Sequence, residues 1–101
     1  MLVTVEYAVA SADRAAFLAA MAKLAGERRR DGAYDWGIYE DSSKEGVFVE
    51  TFHVDSWLEH MRQHQRVTNA DRILQDAVHR FQAQGDPAVR HLIAAERNER
   101  L

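Results

Sequence analysis

Two hydrophobic periods alternate along this chain, and their order constrains the fold more than any other feature of the sequence. In residues 2–9 every second side chain is Val or Tyr, which is typical of a strand with one buried face. The next segment predicts a helix with an apolar stripe formed by Phe17, Ala20, Met21 and Leu24. Ser11 is expected to cap this helix. Residues 28–30 should be its solvated, dipole-compensating basic end, before a stop at Asp31-Gly32.

The pattern then returns to strands. Residues 34–40 and 47–54 are predicted to form a hairpin around the turn-rich segment 41–46. Ser56, with Glu59 three positions later, has the form of a capping box that opens a helix.

A further helix is expected to begin at Thr68. Its apolar stripe consists of Ile73, Leu74, Ala77, Val78 and Phe81. Gly85-Asp86-Pro87 should end it, and residues 89–94 are predicted to form a last short strand. We therefore expect one domain at 1–95 and a polar tail at 96–101.

The resulting order β-α-β-β-α-α-β predicts an α+β fold of the ferredoxin-like type, with an antiparallel sheet and its helices on one side. The hairpin strands carry large apolar side chains on both faces. In the first strand Tyr34, Trp36 and Ile38 oppose Tyr39, and in the second Phe48, Phe52 and Val54 oppose Val47 and Val49. A sheet that is apolar on both faces needs a second cover. A twin subunit packed sheet to sheet about a two-fold axis supplies it, which predicts a homodimeric α+β barrel.

The composition argues against several classes of function. The chain has 13 basic and 16 acidic residues and a net charge of −3, so nucleic acid is not an expected partner. Its apolar runs are shorter than the roughly 18 residues of a membrane span, so a soluble, cytoplasmic chain is expected. The sequence has no cysteine, which excludes disulfides and thiol catalysis and leaves only His, Asp or Glu to bind a metal.

Two histidines one helical turn apart are candidate ligand-binding residues. His60 and His64 lie at the border of a predicted apolar stripe that contains Trp57, Leu58 and Met61. In one interpretation they line the mouth of a pocket and titrate near physiological pH. In the other they are half-exposed boundary residues. Two ligands are too few for a metal, and no metal site is predicted.

Glu50 and Trp36 are the other candidates for a ligand pocket. Glu50 should share the face of Phe48 and Phe52, because the three residues alternate along one strand. A carboxylate buried there needs a partner such as an arginine, and two interpretations remain: an ion pair at the dimer interface or a catalytic base. Trp36, like Trp57, serves either as a packing anchor or as a flat wall for an aromatic ligand.

Several segments together resemble a known family. The pattern comprises RRRDGAYDWG at 28–37, FVETF at 48–52, the segment 56–68 and RHLI at 90–93. It is similar to the soluble C-terminal domain of bacterial major facilitator transporters called transmembrane secretion effectors, and it covers nearly the whole chain. The resemblance implies the dimeric α+β barrel group, which includes the antibiotic-biosynthesis monooxygenases, and a cavity between sheet and helices. The membrane-spanning part of these transporters is absent from this sequence, so transport by this chain alone is not expected.

The resemblance leaves two hypotheses about activity. Haem degraders of the group use an asparagine on the first strand, where this chain has Thr4 and Glu6, so haem is not expected and no cofactor is predicted. Cofactor-free monooxygenases of the fold hold polyketide-like substrates among aromatic and hydrogen-bonding groups. We expect a non-catalytic ligand-binding or regulatory module related to exporter tails, with a cofactor-independent monooxygenase as the alternative. The expected partners are a second copy of the chain, a small aromatic ligand and a membrane transporter.

Overall fold

The computed structural model describes residues 1–56, 58, 61–62, 69–83 and 85–96. Its described strands and long helices follow one another along the chain in the order β-α-β-β-α-β. They are β1 (Leu2–Ala8), α1 (Arg14–Arg30), β2 (Tyr34–Glu40), β3 (Val47–His53), α2 (Asn69–His79) and β4 (Ala88–Leu92).

These strands form one antiparallel sheet in the order β2-β3-β1-β4. β1 and β3 lie in the middle of the sheet, and β2 and β4 form its edges. The predicted α+β, ferredoxin-like arrangement is confirmed. The register also confirms the face assigned to β3, because Phe48 and Phe52 are buried while Val47 and Val49 are half-exposed.

The hydrophobic core lies between the sheet and the helices α1 and α2. It combines alternate residues of β1 and β3 with one stripe of each helix. Its buried members include Val3, Val5, Tyr7, Phe17, Met21, Leu24, Phe48, Phe52, Val54 and Val78. The ring of Phe17 lies at the centre of this layer, 5.3 Å from the ring of Tyr7 and 5.1 Å from that of Phe48. Tilted ring pairs at such distances add to the stabilisation from burial.

α1 begins differently from the prediction and ends in the predicted way. A 3-10 turn, Ser11–Asp13, precedes it, and the N-cap residue of α1 is Asp13, whose side chain makes no capping hydrogen bond. The prediction that Ser11 caps this helix is therefore wrong. At the other end Gly32 has a φ of 97°, and its amide donates to the carbonyl oxygen of Arg29. Glycine suits this left-handed position because it has no Cβ.

The helices after β3 match their predictions only in part. Glu59 and Thr68, which were expected to help start the two helices, lie outside the described residues. Leu58 and Met61, expected on an apolar stripe, are exposed. In α2 Val78 is buried, but Ile73 is 65% exposed, so the apolar stripe of this helix is narrower than its sequence suggests.

A β-bulge in β2 changes which side chains face the helices. Tyr34 pairs with His53 and Gly37 pairs with Thr51, so three steps along β2 match two along β3. Asp35 has a φ of 52°, in the left-handed region that aspartate tolerates better than most residues. The extra residue turns Trp36 and Ile38 toward the core, whereas Tyr34 stacks on the His53 ring. The prediction that Tyr34 shares a face with Trp36 and Ile38 is therefore wrong.

The described helices leave one surface of the sheet uncovered, which we call the open face. Apolar and polar side chains are mixed on it. Its rows across the strands are Tyr39, Val49, Glu6 and Ala88, then Gly37, Thr51, Thr4 and Arg90.

β4 ends at Leu92, two residues before the predicted position. In the described part of the chain no helix is long and apolar enough to cross a membrane.

Candidate functional site

Glu50 is a buried acidic residue in the middle of β3. Strand alternation places it on the same side as Phe48 and Phe52, facing the helices. Its side chain is 0% exposed. A charge removed from water in this way destabilises the fold unless it is paired and hydrogen-bonded.

Three side chains donate hydrogen bonds to the Glu50 carboxylate. Arg28 donates from Nε to Oε2 at 3.0 Å and from Nη2 to Oε1 at 3.1 Å. Trp36 donates from Nε1 to Oε2 at 2.9 Å, and the Tyr7 hydroxyl donates to Oε1 at 3.2 Å. We call these four residues the Glu50 cluster.

Each member of the Glu50 cluster comes from a different element. Tyr7 projects from β1, opposite Phe48 and therefore diagonal to Glu50. Arg28 lies in the last turn of α1. Trp36 reaches the carboxylate because the β2 bulge turns it inward.

Arg28 is held on two sides. Besides its two bonds to Glu50, its guanidinium carbon lies 4.8 Å from the centroid of the Phe52 ring, a cation–π geometry. Burial opposes the charged form of the guanidinium, but the charge and hydrogen bonds of Glu50, together with smaller contributions from Tyr7 and Glu27, raise the pKa of Arg28. The side chain is therefore a fixed cation, and its planar fork matches the carboxylate.

The Tyr7 hydroxyl is held in its neutral form. Burial first, and then the negative charge of Glu50, raise the pKa of Tyr7 far above its ordinary value. A phenol in this environment stays protonated at neutral pH and donates a hydrogen bond.

Replacing Tyr7 by Phe tests this environment. We expect a loss of about 1–2 kcal/mol at neutral pH, because a hydrogen bond to a charged group disappears. The folded-state pKa of Tyr7 lies above the unfolded value of about 10, so this contribution is complete below about pH 10 and decreases as the pH rises further. The difference between wild type and Tyr7→Phe in urea unfolding should therefore shrink above about pH 10. An unchanged difference would contradict the assignment.

The Glu50 carboxylate has no free position for a further hydrogen bond. A carboxylate has about four lone-pair positions, and two hydrogen bonds reach each oxygen of Glu50. A general base needs a free position for the proton it takes. In this arrangement Glu50 joins β3 to α1, β1 and β2.

A different part of the surface forms an open concavity. It lies on the open face, has a volume of about 300 Å³, and is lined by Thr4, Glu6, Val49, Ala88, Arg90 and Leu92. Within the described residues no three His, Asp or Glu side chains come close enough to hold a metal ion.

The chain matches the family model of the transmembrane secretion effectors over residues 1–99. It belongs to that family. No curated protein matches this transmembrane secretion effector family member in sequence.

Solved structures show which fold this family member shares. It is 21% identical to a crystal structure described as a putative antibiotic biosynthesis monooxygenase from Caulobacter crescentus, with 94% of this chain and 89% of that chain covered and a TM-score of 0.77. A protein described in the same words from Deinococcus radiodurans is 24% identical, covers 100% and 99%, and has a TM-score of 0.69. SnoaB, a cofactor-independent oxygenase from Streptomyces nogalater, is 13% identical, covers 95% and 93%, and has a TM-score of 0.75. At these identities the similarity establishes the fold.

The structure brings together two of the candidate residues of this family member. Trp36 and Glu50 are hydrogen-bonded. The other three, Trp57, His60 and His64, lie outside the described residues, so their place in a pocket stays a prediction. The ion pair of Glu50 with Arg28 forms within one chain, under α1, and not across a dimer interface.

The prediction of a wholly solvated basic helix end is wrong for Arg28. Arg29 and Arg30 are exposed, whereas the Arg28 side chain is only 19% exposed. Helical spacing contains the signal that was missed, because Met21, Leu24 and Arg28 follow one stripe at intervals of three and four residues. Tyr7 could have been found from strand alternation, since its hydroxyl lies on the buried face of β1.

Proposed function

We propose that this chain is a non-catalytic, homodimeric ligand-binding or regulatory module of the kind found as the tail of major facilitator exporters. The observation that carries the proposal is that hydrogen bonds from Arg28, Trp36 and Tyr7 occupy the lone-pair positions of both Glu50 oxygens. The acidic residue that alternation places under the helices thus supports the fold and leaves no base for a reaction at that position. Membership of the transmembrane secretion effector family supports a membrane transporter as partner.

The homodimer is part of this proposal. Tyr39 is 63% exposed and Leu92 is 46% exposed on the open face, next to the half-exposed Val49. Large apolar side chains on an uncovered sheet are stabilised when a second sheet packs against them. We place this dimer in the cytoplasm, with residues 1–95 as its single domain.

A cofactor-independent monooxygenase is the second candidate function. The fold shared with SnoaB, which is described as a cofactor-independent oxygenase, favours it. Its substrate would be an aromatic or polyketide-like molecule, held near Trp36, Trp57, His60 and His64. An oxygenase needs an enclosed apolar space with a hydrogen-bonding group beside the substrate, whereas a binding module needs only a complementary surface.

One set of measurements separates the two functions. We expect tryptophan fluorescence to be quenched by at least one planar aromatic ligand from a panel of quinones, flavins and haem, and oxygen uptake to stay at the buffer rate with electron-rich naphthols and anthrones. If His60 and His64 line the site, quenching should change between about pH 5 and 8, and a variant with both replaced by Gln should lose that change. Oxygen consumption above the buffer rate, abolished in this double variant, would establish the monooxygenase instead.

A further inference from the structure

The open face carries two opposite charges side by side on neighbouring strands. Glu6 on β1 pairs in register with Ala88 on β4, and Arg90 lies two residues further along β4. Residues in this diagonal relation are about 7–8 Å apart and share one face of the sheet. Both side chains are exposed and line the same concavity.

Neither charge has an ion-pair partner in the described part of the chain. The ion pairs found there join Arg14 to Glu40 and Arg28 to Glu50. Glu6 and Arg90 thus lie on a surface whose other lining residues are Thr4, Val49, Ala88 and Leu92. A partner that covered this surface with apolar atoms alone would bury two unpaired charges, which is strongly unfavourable.

A surface with one acidic and one basic group next to each other is complementary to itself. In a two-fold symmetric contact, if position i touches position j, then j touches i. Suppose that the two-fold axis lies in the plane of contact and passes between Glu6 and Arg90, across the line that joins them. The acidic residue of each copy then lies opposite the basic residue of the other copy. Sheets packed face to face lie about 10 Å apart, a gap that glutamate and arginine side chains can bridge together.

We infer that the open face binds a second copy of this chain in a register fixed by Glu6 of each subunit pairing with Arg90 of the partner subunit. This inference rests on the proposed homodimer and adds the residues that select the partner. The two ion pairs compensate the charges that sheet packing buries, and they disfavour registers that leave these charges unpaired or bring like charges together.

Charge exchange tests the inference. Glu6→Arg alone places arginines at both ends of each contact, and Arg90→Glu alone places glutamates there. We expect each variant to dimerise at least about tenfold more weakly than wild type. An equimolar mixture of the two variants should form heterodimers, because both of their intersubunit contacts then join opposite charges. The double variant Glu6→Arg/Arg90→Glu should dimerise with itself.

The mixture is the decisive sample. Within each single-variant chain positions 6 and 90 carry like charges, so recovery on mixing can come only from contacts between subunits. Native mass spectrometry distinguishes the heterodimer by mass, and light scattering after size exclusion measures the dimer fraction. Lys23→Glu and Asp76→Arg, exposed on the two helices, make the same changes of charge away from the open face and should dimerise like wild type.

The outcomes separate this inference from the proposed homodimer. A wild-type monomer at micromolar concentration would overturn both. A wild-type dimer that is unchanged by either single variant, or variants that fail to recover on mixing, would overturn the register and leave the homodimer standing. Circular dichroism of each variant confirms folding. If a single variant is unfolded, Glu6→Gln and Arg90→Gln replace it, and both should weaken the dimer.

Discussion

Replacing Arg28 by Met is expected to destabilise the protein by about 3–5 kcal/mol, because it leaves the Glu50 carboxylate buried without its cation. Methionine keeps much of the apolar length of the side chain, so the loss reports on the charge more than on packing. The cation–π contact with Phe52 is lost as well. A domain of this size is stable by about 5–15 kcal/mol, so the variant should be close to unfolding at ambient temperature. Urea unfolding followed by circular dichroism measures the effect.

Two comparisons show whether the ion pair is responsible. Arg29→Met changes the exposed neighbour of Arg28 and should alter stability by no more than about 0.5 kcal/mol. Adding Glu50→Gln to Arg28→Met removes the orphaned charge and should restore part of the loss, which a double-mutant cycle records as a coupling energy. Equal losses for Arg28→Met and Arg29→Met would refute the role given to the Glu50 cluster.

Phe48→Asp is the second substitution with a large expected effect. Phe48 is 2% exposed and packs against the ring of Phe17 in the centre of the core. The substitution removes the buried ring and introduces a charge, and each of these changes destabilises the fold by several kcal/mol. We expect no cooperative thermal transition and a collapsed or unfolded chain by circular dichroism and size exclusion.

Thr51→Asp is the matched control for Phe48→Asp. It lies on the same strand but on the open face, next to Thr4. This variant should fold with a cooperative transition, because its new carboxylate stays in water in the isolated subunit. A similar collapse of both variants would mean that the two faces of β3 do not differ in the way described.

Elements with a clean hydrophobic repeat could be predicted from the sequence. The bounds of β2 agree with the prediction, and β1 and β3 each end one residue earlier than predicted. Alternation alone placed Glu50 on the face of Phe48 and Phe52, and the burial of its carboxylate indicated a partner such as an arginine. These features follow from local periodicity and from the high free energy of an unpaired buried charge, and neither depends on distant residues.

Features that depend on pairing between distant segments could not be predicted. The bulge at Asp35 exists because β2 and β3 adopt one particular register, which the residues of β2 do not specify by themselves. The burial of Arg28 rather than Arg29 or Arg30 differs from the bulge, because its helical spacing from Met21 and Leu24 contained the signal. Charge suggested that all three arginines were solvated, whereas the stripe of α1 directs one of them inward.

The Glu50 cluster also makes errors of strand alignment unfavourable. Its members are separated from Glu50 by 43, 22 and 14 positions in sequence, so it forms only when distant segments have met. If β3 slipped by one residue against β1, Glu50 would turn to the open face. Arg28 would then be left under the helix without its anion, and the indole N–H of Trp36 and the hydroxyl of Tyr7 would each lose their acceptor. A misaligned sheet is thus penalised in three places at once, and the native alignment is the one that satisfies every group.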